Sequence, residues 1–427
     1  MNLEEKLRQL KSISKKSGAE AELEAQLDHL RRTVQNPKKL PAQRAPHGIE
    51  EYVEGRECVH PFGNYFVAGQ ALPFGRPYGK MRIGDIAASD LSPLDVAGPA
   101  LPDPDRLLYL DTETTGLAGG TGTCAFLIGI GMIQASQFVV QQFFLRDYTE
   151  EKTVLAALAD ILQSYDGLVT FNGKTFDVPL LETRYTLSRL KSPFARLVHL
   201  DLLHPARRLW KLRLESCRLT HLETHVLSIA RKGDVPGSEI PGIYFDYLRT
   251  GNARGLQPVF LHNALDIVTL AALTVEMANT IRAAQTNNVA SAGPSLDLFS
   301  LSRIFERAGE MDQSLSACTR ALEAGLPEAV EPLALWQLAN HYKRRRDFER
   351  AEPLWVELTR REIPVALGAY RELAIHYEHR RHDAAKALEF TEEALARLTS
   401  ARAAMRDAGR FTHRRLRLLR RMAASRV

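Results

Sequence analysis

The sequence predicts a mixed α/β layer fold followed by an all-α region, and three patterns support that prediction. Strand-like runs at Leu107–Glu113, Cys124–Ile133 and Gln137–Leu145 follow one another with turn-rich joints, as in a meander. Helix-period and strand-like runs then alternate to about residue 285, which places helices over a mixed sheet. Beyond about residue 295 strand-like runs cease, and a pattern about 35 residues long repeats.

In chain order, residues 1–45 read as an amphipathic helix and a polar connector marked by Pro37 and Pro41, either a mobile tail or a partner-binding segment. Residues 46–103 carry short apolar runs broken by Gly and Pro, such as Gly63-Asn64-Tyr65-Phe66-Val67, and suit a small β-rich extension packed on the α/β domain. Residues 104–285 hold the α/β pattern. After the meander, Val154, Leu155, Leu158, Ile161 and Leu162 keep a helical period, Gly167–Asn172 reads as a strand, Asp177 to Leu190 as a helix and Leu197–Asp201 as a strand. Within residues 296–427, Leu335–Tyr342 with Asp347–Ala351 is echoed by Tyr370–Tyr377 with Asp383–Ala387, and more weakly around Ile304-Phe305 and Asp312. The spacing resembles the tetratricopeptide helix-turn-helix repeat, with three units near the minimum for a stacked core and a last helix to cap it. That helix carries Arg410, Arg414, Arg415, Arg417, Arg420 and Arg421, a solvated basic face or a contact for nucleic acid or an acidic partner. A protein partner on the repeats is a further expectation.

Composition narrows the class. With 427 residues, 45% hydrophobic and 25% charged, the chain can bury two or more cores. No uninterrupted apolar run reaches bilayer length, and the opening MNLEEKLRQLKSISKK lacks a secretory apolar core, so a cytoplasmic protein away from membranes is expected. Cys58, Cys124, Cys217 and Cys318 form no C-x-x-C pair, which argues for free thiols and against a disulfide scaffold or zinc site. A net charge of +5 is compatible with a polyanionic partner and proves none.

The chemistry gathers on carboxylates. In Leu107-Leu108-Tyr109-Leu110-Asp111-Thr112-Glu113-Thr114, strand alternation puts Asp111 and Glu113 on one side and Thr112 on the other. Two adjacent acids repel, and a hard divalent cation such as Mg2+ or Mn2+ is the usual remedy. Asp177, in Phe171-Asn172-Gly173-Lys174-Thr175-Phe176-Asp177, follows a buried strand and opens a helix, where it caps, binds a cation, or both. Asp266, in Leu261-His262-Asn263-Ala264-Leu265-Asp266, lies on a helix apolar nearly all round, so its charge needs compensation. His262 is one turn earlier on the same face and either shares the site or makes a stabilising His–Asp bond. Asp201 suits a helix cap or a support for the site. Gly119-Gly120-Thr121-Gly122 suits a hairpin turn rather than a phosphate cradle, because no Lys-Ser/Thr follows.

DTETTGL, FNGKTFD and HNALD, in that order, resemble the three motifs of the DEDD exonucleases of the ribonuclease H-like superfamily. The YprB-type branch is the closer match, because Asp234–Tyr247 looks like its insertion before the last motif. The resemblance covers roughly residues 104–285 and implies a ribonuclease H-like mixed sheet flanked by helices. It further implies a 3′→5′ exonuclease acting on single-stranded DNA or RNA with two divalent cations, Mg2+ or Mn2+. Asp111, Glu113, Asp177 and Asp266 would be the metal ligands, His262 the general base, and Thr114 and Asn172 substrate contacts. One departure stands: His262 precedes the final Asp by four residues, whereas the His-type subfamily uses five. A non-catalytic nucleic-acid-binding scaffold and a structure-specific endonuclease on the same fold are the alternative expectations.

Overall fold

A computed structural model of the chain describes residues 48–116, 122–286, 293–361, 364–398 and 404–424. The helix expected within residues 1–45 and most of the Gly119–Gly122 turn lie outside them. In chain order come β1 (Gly55–His60), β2 (Gly63–Pro73), the small hairpin β3 (Pro77–Tyr78) and β4 (Met81–Arg82), and α1 (Gly84–Ala88). The meander follows as β5 (Leu107–Thr114), β6 (Ala125–Gln134) and β7 (Gln137–Phe144), then α2 (Glu151–Leu162), β8 (Gly167–Thr170), α3 (Asp177–Leu187), β9 (Val198–Asp201) and α4 (Leu203–Trp210). A short α5 (Leu219–Leu222) runs into a π-helical turn, and α6 (Ile240–Thr250) leads to the long α7 (Gln257–Gln285). Helices α8 (Ser295–Ala308), α9 (Met311–Glu323), α10 (Glu331–Arg344), α11 (Phe348–Thr359), α12 (Pro364–His379), α13 (Ala384–Arg397) and α14 (Ala404–Ala424) complete the chain.

Seven strands form one mixed sheet in the order β1-β2-β7-β6-β5-β8-β9. The meander pairs antiparallel, and β8 and β9 add to β5 in parallel. Residues 46–103 do more than pack on this sheet, because β2 pairs antiparallel along β7 and makes β1 and β2 part of it. The physical reason is the edge: β7 alone would leave a row of backbone groups unpaired.

Strand alternation assigns the two faces. Leu107 and Tyr109 of β5 pack with Ile267, Val268 and Leu270 of α7. Leu108 and Leu110 face the opposite layer, with Leu155 of α2, Tyr185 of α3 and Tyr244 of α6. Helix α7 crosses β5, β6 and β7. By length and composition it could span a bilayer, although scattered polar residues interrupt its apolar run, but 72% of its apolar window is buried within the protein. Its apolar surface is therefore spent on the sheet and on the helices around it.

After α7 the helices pack consecutively, α8 with α9, α10 with α11, and α12 with α13, while α14 closes on α13. The repeated Asp of the sequence echo is a helix cap: Asp347 accepts from the Arg350 N–H and Asp383 from the Lys386 N–H. Part of the arginine-rich last helix is not a solvated face. Arg414 and Arg417 both bind Glu378 of α12, whose side chain is 3% exposed, because a buried carboxylate needs cationic donors. All four cysteines are free thiols.

Candidate active site

The strand alternation that fills the core also builds the site. Asp111 and Glu113 continue the Leu107 and Tyr109 side of β5, the face that α7 covers. One turn of α7 then presents His262, Asn263 and Asp266 to them. Ligand atoms of Glu113, His262 and Asp266 lie within 4.8 Å of one another, with His262 Nε2 3.6 Å from Asp266 Oδ2 and 4.0 Å from Glu113 Oε1. Asp111 stands beside this set, where the Asn263 amide donates to its Oδ2 at 2.9 Å.

Helix α7 reaches the sheet so closely because β6 has glycines beneath it. A Cβ on Gly129 would lie 2.1 Å from Asn263 Oδ1, and one on Gly131 would lie 2.4 Å from Ile267 Cγ2. Asn263 is held from its other side by Gln142, whose amide donates to Oδ1 at 2.9 Å. Gly129→Ala should therefore push Asn263 off Asp111 and cost about 1–3 kcal/mol through overpacking. Chemical denaturation measures this, and wild-type stability would contradict the close approach.

Asp177 arrives from the other side of β5. Thr112, which points away from Asp111 and Glu113, donates to Asp177 Oδ1 at 2.5 Å. The structure thus brings Asp177 near Asp111 across the strand end and leaves it outside the three-residue cluster. Asn172 occupies a left-handed conformation, φ 66°, and its N–H donates to Asp201 Oδ1. Asp201 is buried, and it also accepts from the N–H groups of Lys174 and Leu203, so it pins the loop before α3 and starts α4. The Thr114 hydroxyl donates to the Gly116 carbonyl and shapes the turn after β5.

Three residues that motif reading missed surround His262 and Asp266. Asp234 Oδ1 lies 2.7 Å from His262 Nδ1. Arg231 forms a fork with Glu223 at 2.6 and 2.8 Å, touches Asp234 at 3.2 Å and also bonds Asp266 Oδ1. Glu223 itself is 1% exposed and accepts from Thr269 of α7. Asp234 lies inside the insertion recognised in the sequence, which was the one available signal. Glu223 and Arg231 precede it in a π-helical turn and loop that no periodicity announces.

The electrostatics show a site short of positive charge. Burial pushes the Asp111 carboxyl well above the usual carboxylate range, and Asp266, Asp177 and Glu113 push it further, against the Asn263 hydrogen bond. Burial, opposed by His262 and helped by Asp266 and Asp177, lifts Glu113 to about 7. Burial likewise lifts Asp177 to about 6 despite the Thr112 hydrogen bond. For His262, burial works against the imidazolium, but Asp266, the Asp234 hydrogen bond and Glu113 outweigh it and raise the pKa. Arg231 compensates one oxygen of Asp266 only. An oxygen-rich donor set whose members force one another toward neutrality fits a hard divalent cation.

Residues 108–278 match the family model of the RNase H superfamily. With the mixed sheet and its covering helices, this defines a domain of the RNase H-like nuclease fold, whose members generally hydrolyse phosphodiester bonds. The chain is also 32% identical over 296 residues to the uncharacterized protein YprB of Bacillus subtilis (strain 168), covering 68% of this chain and 70% of the relative. It belongs to the YprB family. Among solved structures, the family B DNA polymerase from the hyperthermophilic archaeon Pyrobaculum calidifontis superposes with a TM-score of 0.34 at 14% identity, over 57% of this chain and 34% of the polymerase chain.

Proposed function

We propose that the chain is a metal-dependent 3′→5′ exonuclease acting on single-stranded DNA or RNA. The observation that carries this reading is the convergence of Glu113, His262 and Asp266 within 4.8 Å, with Asp111 beside them, from segments far apart in sequence. Asp111, Glu113, Asp177 and Asp266 would hold two divalent cations, Mg2+ or Mn2+. When bound, the cations supply the positive charge that polarises the phosphodiester, activates water and steadies the departing 3′ oxygen.

The chain's own residues do the rest. Asp234 accepts the Nδ1–H of His262, which fixes the tautomer and leaves Nε2 as the proton acceptor facing Glu113 and Asp266. His262 Nε2 takes a proton as the water oxygen attacks phosphorus, and the resulting imidazolium is stabilised by Asp234 and Asp266. The P–O3′ bond breaks, the departing 3′ oxygen takes a proton from solvent, and a 5′-mononucleotide leaves. Asn263 and Thr112 hold Asp111 and Asp177 in place, Asp201 fixes the Asn172 backbone by accepting its N–H, and Asn172 and Thr114 would contact the substrate strand. Motif order favours attack at a 3′ end, because it is the order in the DEDD exonucleases that the sequence resembles.

The helices after residue 295 are read as a tetratricopeptide-like stack that offers a surface to a protein partner, and the four free thiols accord with a cytoplasmic setting. The deciding experiment incubates the full chain with 3′-labelled and 5′-labelled single strands of DNA and RNA in Mn2+, Mg2+ or chelator. Metal-dependent release of the 3′ label as mononucleotide is expected. Internal fragments would replace the exonuclease with an endonuclease, and intact strands under every condition would favour a binding scaffold.

A further inference from the structure

The seam between the sheet domain and the C-terminal helices carries a second concentration of charge, of opposite sign. Helix α4 packs against α8, and Arg213 ties the two regions together through Asp297 at 2.8 Å. Between these helices runs a groove of about 270 Å³, lined by Arg207, Arg208 and Lys211 from the α4 side and by Arg303 and Arg307 from α8. Arg207 and Lys211 are four residues apart, as are Arg303 and Arg307, so each pair shares one helix face. All five side chains are exposed.

None of the five has a carboxylate partner among the described residues. Arg208 and Lys211 reach only backbone carbonyls, of Ala97 and Glu215, and Arg303 lies over the Phe299 ring. Two neighbouring cations do have carboxylate partners on α8, Arg213 with Asp297 and Arg344 with Glu306. Five like charges along one groove repel one another, and no carboxylate among the described residues offsets that repulsion. A flexible polyanion with regularly spaced charges does offset it, and the planar guanidinium suits phosphate oxygens in particular.

Helix α4, one wall of the groove, starts at the edge of the sheet where β5, β8 and β9 end, the edge that carries Asp111 and Glu113. Asp201, at the end of β9, accepts the Leu203 N–H and starts α4. Lys211 lies eight residues beyond Leu203, about 12 Å at a rise of about 1.5 Å per residue. We infer that this groove is a binding track for the phosphate backbone of a single-stranded nucleic acid, and that it holds the strand while its end is at the carboxylates. The identity of that strand as substrate rests on the nuclease reading. The phosphate track itself does not.

The test uses the full chain carrying Asp111→Asn, in chelator, so that nothing is cleaved. Fluorescence anisotropy with a labelled 20-nucleotide single strand is recorded across salt concentrations for this chain and for three derivatives: Arg207→Gln with Lys211→Gln, Arg303→Gln with Arg307→Gln, and all four together. Each pair should weaken binding, and the quadruple change should raise Kd by about tenfold or more and reduce the slope of log affinity against log salt by about 2 to 3. Unchanged Kd and slope in a derivative with wild-type Tm would overturn the track. So would tight binding of poly-glutamate with no binding of the oligonucleotide, which would make the groove a protein site. Hydrolysis by the Asp111-bearing chain is assayed separately. Salt-dependent binding through the groove without hydrolysis leaves the track standing and removes the nuclease reading; hydrolysis with groove-independent binding does the reverse.

Discussion

Asp111→Asn should lower metal-dependent hydrolysis by about 10³-fold or more, because on the proposed reading it would remove a ligand of cations that would contribute several kcal/mol of transition-state stabilisation. The fold should survive, since an amide oxygen at this position can still accept the bond that Asn263 donates to the Asp111 carboxylate. Stability should change in a direction that a general folding defect would not produce. Acids whose folded pKa is raised make the folded state bind more protons than the unfolded one, so stability falls as pH rises from about 4 through those folded values. For Glu113 that value is about 7, and Asp111 is raised as well. The metal-free wild-type chain should therefore lose Tm between pH 5 and pH 8, and Mn2+ should restore it. Asp111→Asn relieves part of the repulsion, so its metal-free Tm should fall less over that range and gain less from Mn2+. Wild-type hydrolysis, or a Mn2+ response equal to wild type, would remove Asp111 from the metal set.

His262→Ala should cost about 10²- to 10⁴-fold in rate, the usual contribution of a positioned general base. Asp234→Ala keeps the imidazole but releases its Nδ1, and a loss of about tenfold to a hundredfold is expected. Because Asp234 acts through His262, the double change should be hardly slower than His262→Ala alone, a coupling that two independent defects would not show. Added imidazole should recover part of the His262→Ala activity and none of the Asp111→Asn activity. Additive losses would reduce Asp234 to a structural role. Full activity of His262→Ala would end the base assignment and leave the histidine to contact phosphate or stabilise the helix.

These two predictions lean on residues of different visibility. Asp111, Glu113, Asp177, His262 and Asp266 stand in short motifs whose residue types state their chemistry, and strand alternation alone puts the first two on one side. Asn263 and Gly129 were in view and carried no sign of their roles. An amide inside a helix and a glycine inside a strand acquire meaning only when the helix crosses that strand. Glu223, Arg231 and Asp234 were harder still, since they belong to a turn and a loop without period. The sheet membership of β1 and β2 was hidden for a related reason: a local run of apolar residues shows that a strand forms and is silent about which edge it joins.

Local order along the chain therefore determined the α/β class, the meander, the repeated helix pairs and the set of acids, because periodicity and motif spacing are written in neighbouring residues. Tertiary structure decided which of those acids share one cluster, that Asp177 comes from the opposite side of β5, and that Arg231 and Asp234 reach His262 and Asp266. It also decided that α4 and α8 line up five cations that have no carboxylate partner among the described residues. Charges interact through space over a few ångströms, and only the folded chain sets those distances.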